Sequence, residues 1–181
     1  MQRYTGVRSE TFEWVGPIVG PRVETGMSGL AYLTGIRDGA VVAPDLGPLV
    51  SAELVEIVRG RVQLICSASP SQFGLLRELD PAVASLLVNA AVTAVAQSLT
   101  GHGQGWATVE SRESYTRPSS PEVGNLVATA EVIGSSRGRA EVKGELLDGR
   151  GRVVATIVRT IDILDLDVPL ETSAGRRSAH S

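Results

Sequence analysis

The chain has few of the residues on which several protein classes depend. Its 181 residues include one cysteine, two histidines and only 4% aromatic side chains. A single cysteine excludes an intramolecular disulfide framework and fits a reducing compartment, so we expect a cytoplasmic protein. Cys66 lies in the apolar run 62–66, which is typical of a small core residue. His102 lies in a glycine-rich turn and His180 is next to last. A Ser-His-Asp triad or a zinc site therefore has almost no support, and we predict no metal and no cofactor.

The chain also lacks positive charge. Its formal net charge is −3, so no basic field is expected to attract nucleic acid or anionic lipid. The first residues are polar and charged, unlike a signal peptide. Residues 81–99 are long enough to cross a bilayer at about 1.5 Å per residue. They are rich in alanine and contain five polar residues. A helix that is apolar nearly all round is more often buried in a soluble core, so we predict no membrane contact.

A chain of this length suits one domain. Residues 1–26 show no sustained hydrophobic period and contain two Gly-Pro steps, which predicts an irregular lead-in. Residues 27–165 are predicted to form the folded domain. The polar segment 166–181 is predicted to be a mobile tail.

The folded part is predicted to be of the α+β class. Asp80 is a good N-cap for the long apolar helix, and Pro81 suits its first position. The last three strands are predicted to form an antiparallel meander, with turns at 135–138 and 148–149. An antiparallel sheet that covers one long apolar helix must be strongly curved, and the helix then becomes the core. In chain order, the predicted elements are a helix at 28–37, strands at 49–58 and 61–67, a helix at 81–99, and strands at 106–115, 125–134, 139–147 and 152–164.

This arrangement resembles the hotdog fold, a curved sheet wrapped around one central helix, and more narrowly the PaaI-like acyl-CoA thioesterase family. The resemblance covers roughly residues 29–164. It implies an acyl-CoA or acyl-carrier thioester as partner, and a homodimer or homotetramer whose sheets join edge to edge. The stretches that carry it are Gly-Leu-Ala-Tyr-Leu at 29–33, Arg-Asp-Gly at 37–39, Ala-Thr-Val-Glu at 107–110, Ser-Tyr-Thr-Arg-Pro at 114–118 and the hairpin 147–156.

The family's chemistry uses a His-Gly-Gly loop before the central helix, where backbone N–H groups and the helix N-terminus polarise the thioester carbonyl. An Asp or Glu about two turns into the helix then activates water or attacks directly. Here residues 71–74 hold the place of the family's lead into that loop, which makes Gly74 a candidate substrate-binding position. There is no His-Gly-Gly. The helix carboxylate position falls on Val88, with Asn89 beside it, and residues 81–104 contain no carboxylate.

Four polar side chains remain candidates for catalysis. Asn89 and Thr93 lie one turn apart on one helix face. They either orient a water or a carbonyl, or hydrogen-bond within a packed core. Asp80 is either an acid at the mouth of the helix or only its N-cap. Thr108 and Glu110 are two residues apart and are predicted to share a strand face. Thr108 would line the pocket, and Glu110 would be a displaced base or a buried structural carboxylate.

Three arginines are candidates for binding the phosphates of coenzyme A, because a guanidinium matches phosphate geometry. The resemblance places Arg117, Arg137 and Arg139 near the nucleotide, and a solvated surface is the alternative for each. The sequence thus predicts a thioesterase-like hotdog protein that hydrolyses a thioester with an atypical active site. The alternative is a non-catalytic hotdog protein that binds an acyl thioester or serves as an assembly partner.

Overall fold

The computed structural model describes residues 26–41, 52–67, 78–120 and 124–166. The predicted lead-in and tail lie outside these residues, apart from Gly26 and Leu166, and so does Gly74. The predicted α+β architecture is confirmed. In chain order the elements are α1 (Gly29–Arg37), β1 (Ala52–Val58), β2 (Arg61–Cys66), α2 (Pro81–Leu99), β3 (Gln104–Tyr115), β4 (Leu126–Ser136), β5 (Arg139–Leu147) and β6 (Val153–Asp165).

Helix α2 begins as its sequence predicts. The Asp80 carboxylate accepts a hydrogen bond of 2.8 Å from the backbone N–H of Ala82, and Pro81 occupies the first turn. At the other end, the Arg59 guanidinium donates to the carbonyl of Leu99 at 2.9 Å. These contacts satisfy backbone groups that a helix terminus otherwise leaves unpaired, so both ends of α2 are held.

The six strands form one antiparallel sheet in the order β1-β2-β4-β5-β6-β3, and α2 packs across it. By length and composition alone α2 could cross a membrane. The sheet instead makes it the core helix, because Leu87, Val88, Val92 and Val95 are completely buried. The sheet lies close against the helix at Gly144 of β5. A Cβ built there would lie 2.5 Å from Val92 Cγ2 and 2.9 Å from Val88 Cγ1.

Strand β3 forms one edge of the sheet. It is the second longest strand, and it pairs with β6 along its length. Within the described chain no strand pairs with its other edge. The side chains of residues 107–118 are all exposed, on both faces of the strand. A long strand with an unpaired edge and little cover is a template for pairing with another strand.

The β4–β5 connection is shorter than the sequence predicts, because β4 continues to Ser136 rather than ending at residue 134. The turn contains only Arg137 and Gly138, with φ of 47° and 80°. Two successive residues with positive φ are what a tight hairpin requires, since that geometry matches the twist of the strands.

Cys66 lies at the end of β2 with 1% of its surface exposed. Burial raises the pKa of its thiol to about 12, so the neutral thiol is the stable form at physiological pH. The prediction of a core cysteine is confirmed.

Asp148 organises the β5–β6 hairpin from a buried position. Its carboxylate accepts from the backbone N–H groups of Arg150 and Arg152 at 2.9 and 3.0 Å, and from the Arg152 guanidinium at 2.8 and 2.7 Å. Burial by itself would raise the pKa of Asp148. The hydrogen bonds from Arg152 and Arg150 outweigh it and hold the pKa below the ordinary 3.8.

We therefore expect Asp148→Asn to lower the free energy of unfolding at pH 7 by about 2 kcal/mol, the usual contribution of hydrogen bonds to a charged group. The folded-state pKa is depressed, so this stabilisation is present above about pH 4 and is lost as the pH falls further. Urea unfolding at pH 7 and pH 3 measures it. A difference between wild type and variant that is as large at pH 3 as at pH 7 would contradict the electrostatic account.

Candidate active site

The face of α2 that points towards β3 carries two polar side chains one turn apart, Ser85 and Asn89, both half-buried. The Asn89 side-chain oxygen accepts a hydrogen bond from the guanidinium of Arg159 on β6. Thr93, the predicted partner of Asn89, is also half-buried but takes no part in these hydrogen bonds among the described residues. The structure thus pairs Asn89 with a cation that is 70 residues away in sequence.

A β-bulge decides which side chains of β3 face the helix. Thr108 lies opposite Ile161 of β6, but Glu110 lies opposite Thr160, so β3 has one extra residue between them. Ile161 is fully buried under α2, whereas Thr160 is half-buried. Thr108 therefore points to the helix side and Glu110 to the outer face. The prediction that these two side chains share a face is wrong, because alternation holds only in an unbulged strand.

Beyond the bulge, the helix side of β3 carries Ser111, Glu113 and Tyr115, opposite Arg159, Ile157 and Ala155 of β6. Glu110 instead forms an exposed ion pair of 2.8 Å with Arg112 on the outer face. In a strand without the bulge, Glu110 would face α2 and Glu113 would lie on the outer face. The bulge reverses these two orientations, so Glu113 is the carboxylate that faces α2.

The Glu113 carboxylate is held by two hydroxyl groups. Ser85 Oγ lies 2.9 Å from both of its oxygens, and the Tyr115 hydroxyl donates to one of them at 3.0 Å. Burial, followed by this hydrogen bond and the charge of Glu113, raises the pKa of Tyr115, so its hydroxyl remains a donor. Helix α2 has no carboxylate of its own. Strand β3 supplies the Glu113 carboxylate, which contacts α2 at Ser85, one helical turn from Asn89.

Arg159 is the buried cation of this group, with 7% of its surface exposed. Burial lowers its pKa, and the negative charge of Glu113 opposes that effect. Within the described chain Arg159 Nε is buried and has no hydrogen-bond partner. We call Ser85, Asn89, Glu113, Tyr115 and Arg159 the Glu113–Arg159 cluster. It combines a general-base candidate with a guanidinium that retains a free donor.

Asp80, the candidate acid at the mouth of the helix, is the N-cap of α2 in the structure. The Asp80 carboxylate takes the backbone N–H of Ala82, and Pro81 has none, so these first-turn donors are not open to a ligand in this conformation. Val88, at the position of the family's helix carboxylate, is fully buried and faces Gly144 of the sheet.

The three arginines do not lie together in one chain. Arg117 follows the end of β3, where Tyr115 pairs with Ala155, whereas Arg139 pairs with Asp162. These positions are seven residues apart on β6, or roughly 23 Å at the usual rise of a strand. Arg139 forms an exposed ion pair with Asp162 at 2.6 Å, and each partner holds the other in its charged form. Arg117 and Arg137 are exposed.

Sequence reasoning missed four members of the cluster: Ser85, Glu113, Tyr115 and Arg159. One signal for Arg159 was present, since it is a charged side chain inside the apolar strand β6. Lysines and arginines are almost never fully buried without a partner, so such a residue is a candidate for function. Glu113 gave no comparable signal. No group of three or more potential metal-ligating acidic, cysteine or histidine side chains occurs among the described residues.

The architecture matches solved structures over most of their length. A thioesterase family protein from Silicibacter pomeroyi superposes with a TM-score of 0.62 at 23% identity, over 74% of this chain and 98% of that one. A putative thioesterase from Ralstonia eutropha JMP134, described as phenylacetic acid degradation-related, gives 0.64 at 17% identity, over 72% and 98%. A hypothetical thioesterase protein from Streptococcus pneumoniae TIGR4, solved with coenzyme A, gives 0.56 at 16% identity, over 64% and 88%.

No protein-family model and no curated protein matches the chain. The structural matches and the sheet wrapped around α2 show that the protein has the hotdog fold. Its structural neighbours are thioesterase-family proteins, in agreement with the resemblance to PaaI-like thioesterases found in the sequence.

Proposed function

We propose that this protein hydrolyses an acyl-CoA or acyl-carrier thioester, with Glu113 in place of the helix carboxylate. The observation that carries the proposal is the position of the Glu113 carboxylate. Ser85 and Tyr115 orient it on the helix side of β3, one turn of α2 from Asn89. The fold supports the substrate class, because neighbouring structures are thioesterases and one contains coenzyme A.

In the proposed reaction, Glu113 accepts a proton from water while the water oxygen bonds to the thioester carbonyl carbon. The carbonyl π electrons move to oxygen and form an oxyanion. When this intermediate collapses, the C–S bond breaks and the proton returns from Glu113 to sulfur. The products are a carboxylic acid and a free thiol. Asn89 holds the Arg159 guanidinium in place during these steps.

The direct test is release of free thiol from a panel of short, long and aromatic acyl-CoA substrates. We expect at least one substrate to be hydrolysed. Asn89→Ala should lower the rate of hydrolysis by more than tenfold, because it removes the hydrogen bond that positions the Arg159 guanidinium. Thr108→Ala tests the candidate that points to the helix side but lies five residues from Glu113. No thiol release across the panel would refute the function for CoA substrates.

The proposal includes a homodimer that forms through the free edge of β3. Antiparallel pairing of two β3 strands would place the Gln104 end of the second copy beside Tyr115 of the first. It would also bring the second copy's turn at Arg137 to the same end as Arg117. Arg117 of one copy and Arg137 of the other would then lie at the same end of the dimer interface, although they are far apart within one chain. A phosphate site shared between the two copies requires this arrangement.

We expect light scattering to give twice the chain mass of 19.0 kDa. Val109, at the bulge near the middle of β3, is 51% exposed. Val109→Lys should shift the protein to monomers, because the two-fold axis would bring like charges together. Ile133→Lys is a matched control on β4, where the side chain is 49% exposed. Equal dissociation of both variants, or of neither, would argue against an interface at β3.

One observation favours the alternative, a hotdog protein that binds a thioester without hydrolysis. The start of α2 offers no His-Gly-Gly loop, and Asp80 occupies the Ala82 N–H that could otherwise polarise a carbonyl. A pure binder should gain thermal stability with CoA or acyl-CoA by mass action and release no thiol. The absence of a melting-temperature shift at millimolar ligand would exclude this alternative for CoA ligands.

A further inference from the structure

The Arg159 guanidinium has a bonding pattern that the fold alone does not require. It is more than nine-tenths buried, yet its one side-chain hydrogen bond in the described structure goes to a neutral amide, and its Nε–H has no partner. A buried charge normally has a hydrogen-bonded counter-ion, because its desolvation is otherwise uncompensated. Glu113 is close enough to act on Arg159 electrostatically. Its hydrogen bonds, however, come from Ser85 and Tyr115.

Such an arrangement leaves donor capacity for an anion from outside the chain. Arg159 lies on β6 opposite Ser111 of β3, and the side chains of β3 on that face, from Ser111 to Tyr115, are exposed. Two of the backbone donors that the hotdog thioesterase resemblance would lead one to expect at the start of α2 are not open, because Asp80 binds the N–H of Ala82 and Pro81 has no N–H. The described cluster contains one cation that could take their place.

We propose that Arg159 stabilises the oxyanion that forms on the thioester carbonyl oxygen, in place of the backbone donors at the helix N-terminus. This role rests on the proposed thioester hydrolysis. Charge balance supports it over the binding of a second carboxylate. Before the reaction Glu113 bears the negative charge beside Arg159. When Glu113 takes the proton from water, the negative charge moves to the carbonyl oxygen. The guanidinium therefore faces one negative charge throughout, whereas a carboxylate on the acyl chain would add a second beside Glu113.

The test compares Arg159→Met with wild type in steady-state hydrolysis of the preferred acyl-CoA. Loss of an oxyanion donor should reduce kcat by about 100- to 1,000-fold, with KM changed by less than about threefold, since the interaction arises only in the transition state. Arg159→Lys keeps a charge but loses the planar fork, and should recover part of kcat. Arg112→Met is the control, because Arg112 lies on the outer face of β3.

Stability gives a second readout that separates a catalytic role from a structural one. A buried charge without a hydrogen-bonded counter-ion is itself destabilising, so its replacement with an apolar side chain of similar size should not lower the stability. We expect Arg159→Met to melt at or above the temperature of wild type while its kcat falls. If the Met variant melts well below wild type or does not fold, Arg159→Lys provides the test, with a reduced kcat at unchanged KM and a melting temperature close to wild type. An Arg159→Lys variant whose kcat equals that of wild type would overturn the proposal.

Other outcomes separate failure of this inference from failure of the proposed function. Unchanged kcat in Arg159→Met, with active wild type, removes the oxyanion role but not the hydrolysis. A raised KM confined to succinyl-CoA and glutaryl-CoA, with butyryl-CoA unaffected, would make Arg159 a binding group for an acyl carboxylate. A wild-type protein that releases no thiol from any of these substrates refutes both the function and this role.

Discussion

Glu113→Gln is expected to reduce thioester hydrolysis by about 100- to 10,000-fold, the usual contribution of a positioned general base. The glutamine side chain has the same shape and can still accept hydrogen bonds from Ser85 and Tyr115, whose oxygens lie 2.9 and 3.0 Å from the carboxylate. It cannot take a proton from water. The loss should therefore appear in kcat, measured by thiol release, with little change in melting temperature.

Glu110→Gln is the matched comparison for this variant. Both glutamates are exposed and belong to the same strand, but Glu110 pairs with Arg112 on the outer face. We expect Glu110→Gln to retain activity within about threefold, since surface ion pairs contribute little. Full activity in Glu113→Gln would refute the role of Glu113. A greater loss in Glu110→Gln would mean that the bulge does not set the active face.

Gly144→Val should have the largest effect on stability. The Cβ alone would lie 2.5 and 2.9 Å from methyl groups of Val92 and Val88, both fully buried in α2. Valine has little rotamer freedom, so the helix must move away from the sheet. Overpacking a close-packed core in this way costs about 3 kcal/mol or more. For a chain of this size we expect the melting temperature to fall by roughly 6–12 °C.

Gly134→Val is the control for this substitution. Gly134 lies on the neighbouring strand β4, and a Cβ there would meet only Glu141 Oε2, at 3.9 Å. Valine also favours extended backbone, so this variant should be as stable as wild type. Thermal unfolding followed by circular dichroism measures both variants. Equal destabilisation would mean that the loss of glycine, rather than contact with α2, is responsible.

Local chemistry made much of the fold predictable. The Asp80-Pro81 start of α2, the apolar run to Leu99 and the hairpin at 148–152 all depend on residues close in sequence, and the structure has them where predicted. Strand ends were less exact, because pairing with a neighbour extends a strand past its local pattern. This is why β4 continues to Ser136.

The candidate site was predictable only in part. Asn89 was identified because a polar residue stands out in an apolar helix. Its partner Arg159 was not, since the hydrogen bond joins residues of different elements. The bulge between Thr108 and Glu110 exists because β3 has one more residue than the stretch of β6 that it faces. No pattern within β3 indicates that mismatch.

The amino-acid sequence by itself determined that one apolar helix would be the core of an antiparallel sheet, and that this helix would carry no carboxylate. Helix caps, turn residues and the hydrophobic period depend on residues that are close together in the sequence, so they can be recognised without the tertiary structure. Only the tertiary structure decided that Glu113, and not Glu110, faces the helix beside Arg159. Strand register and the bulge depend on pairing between distant segments, and a shift of one residue turns a side chain to the opposite face of the sheet.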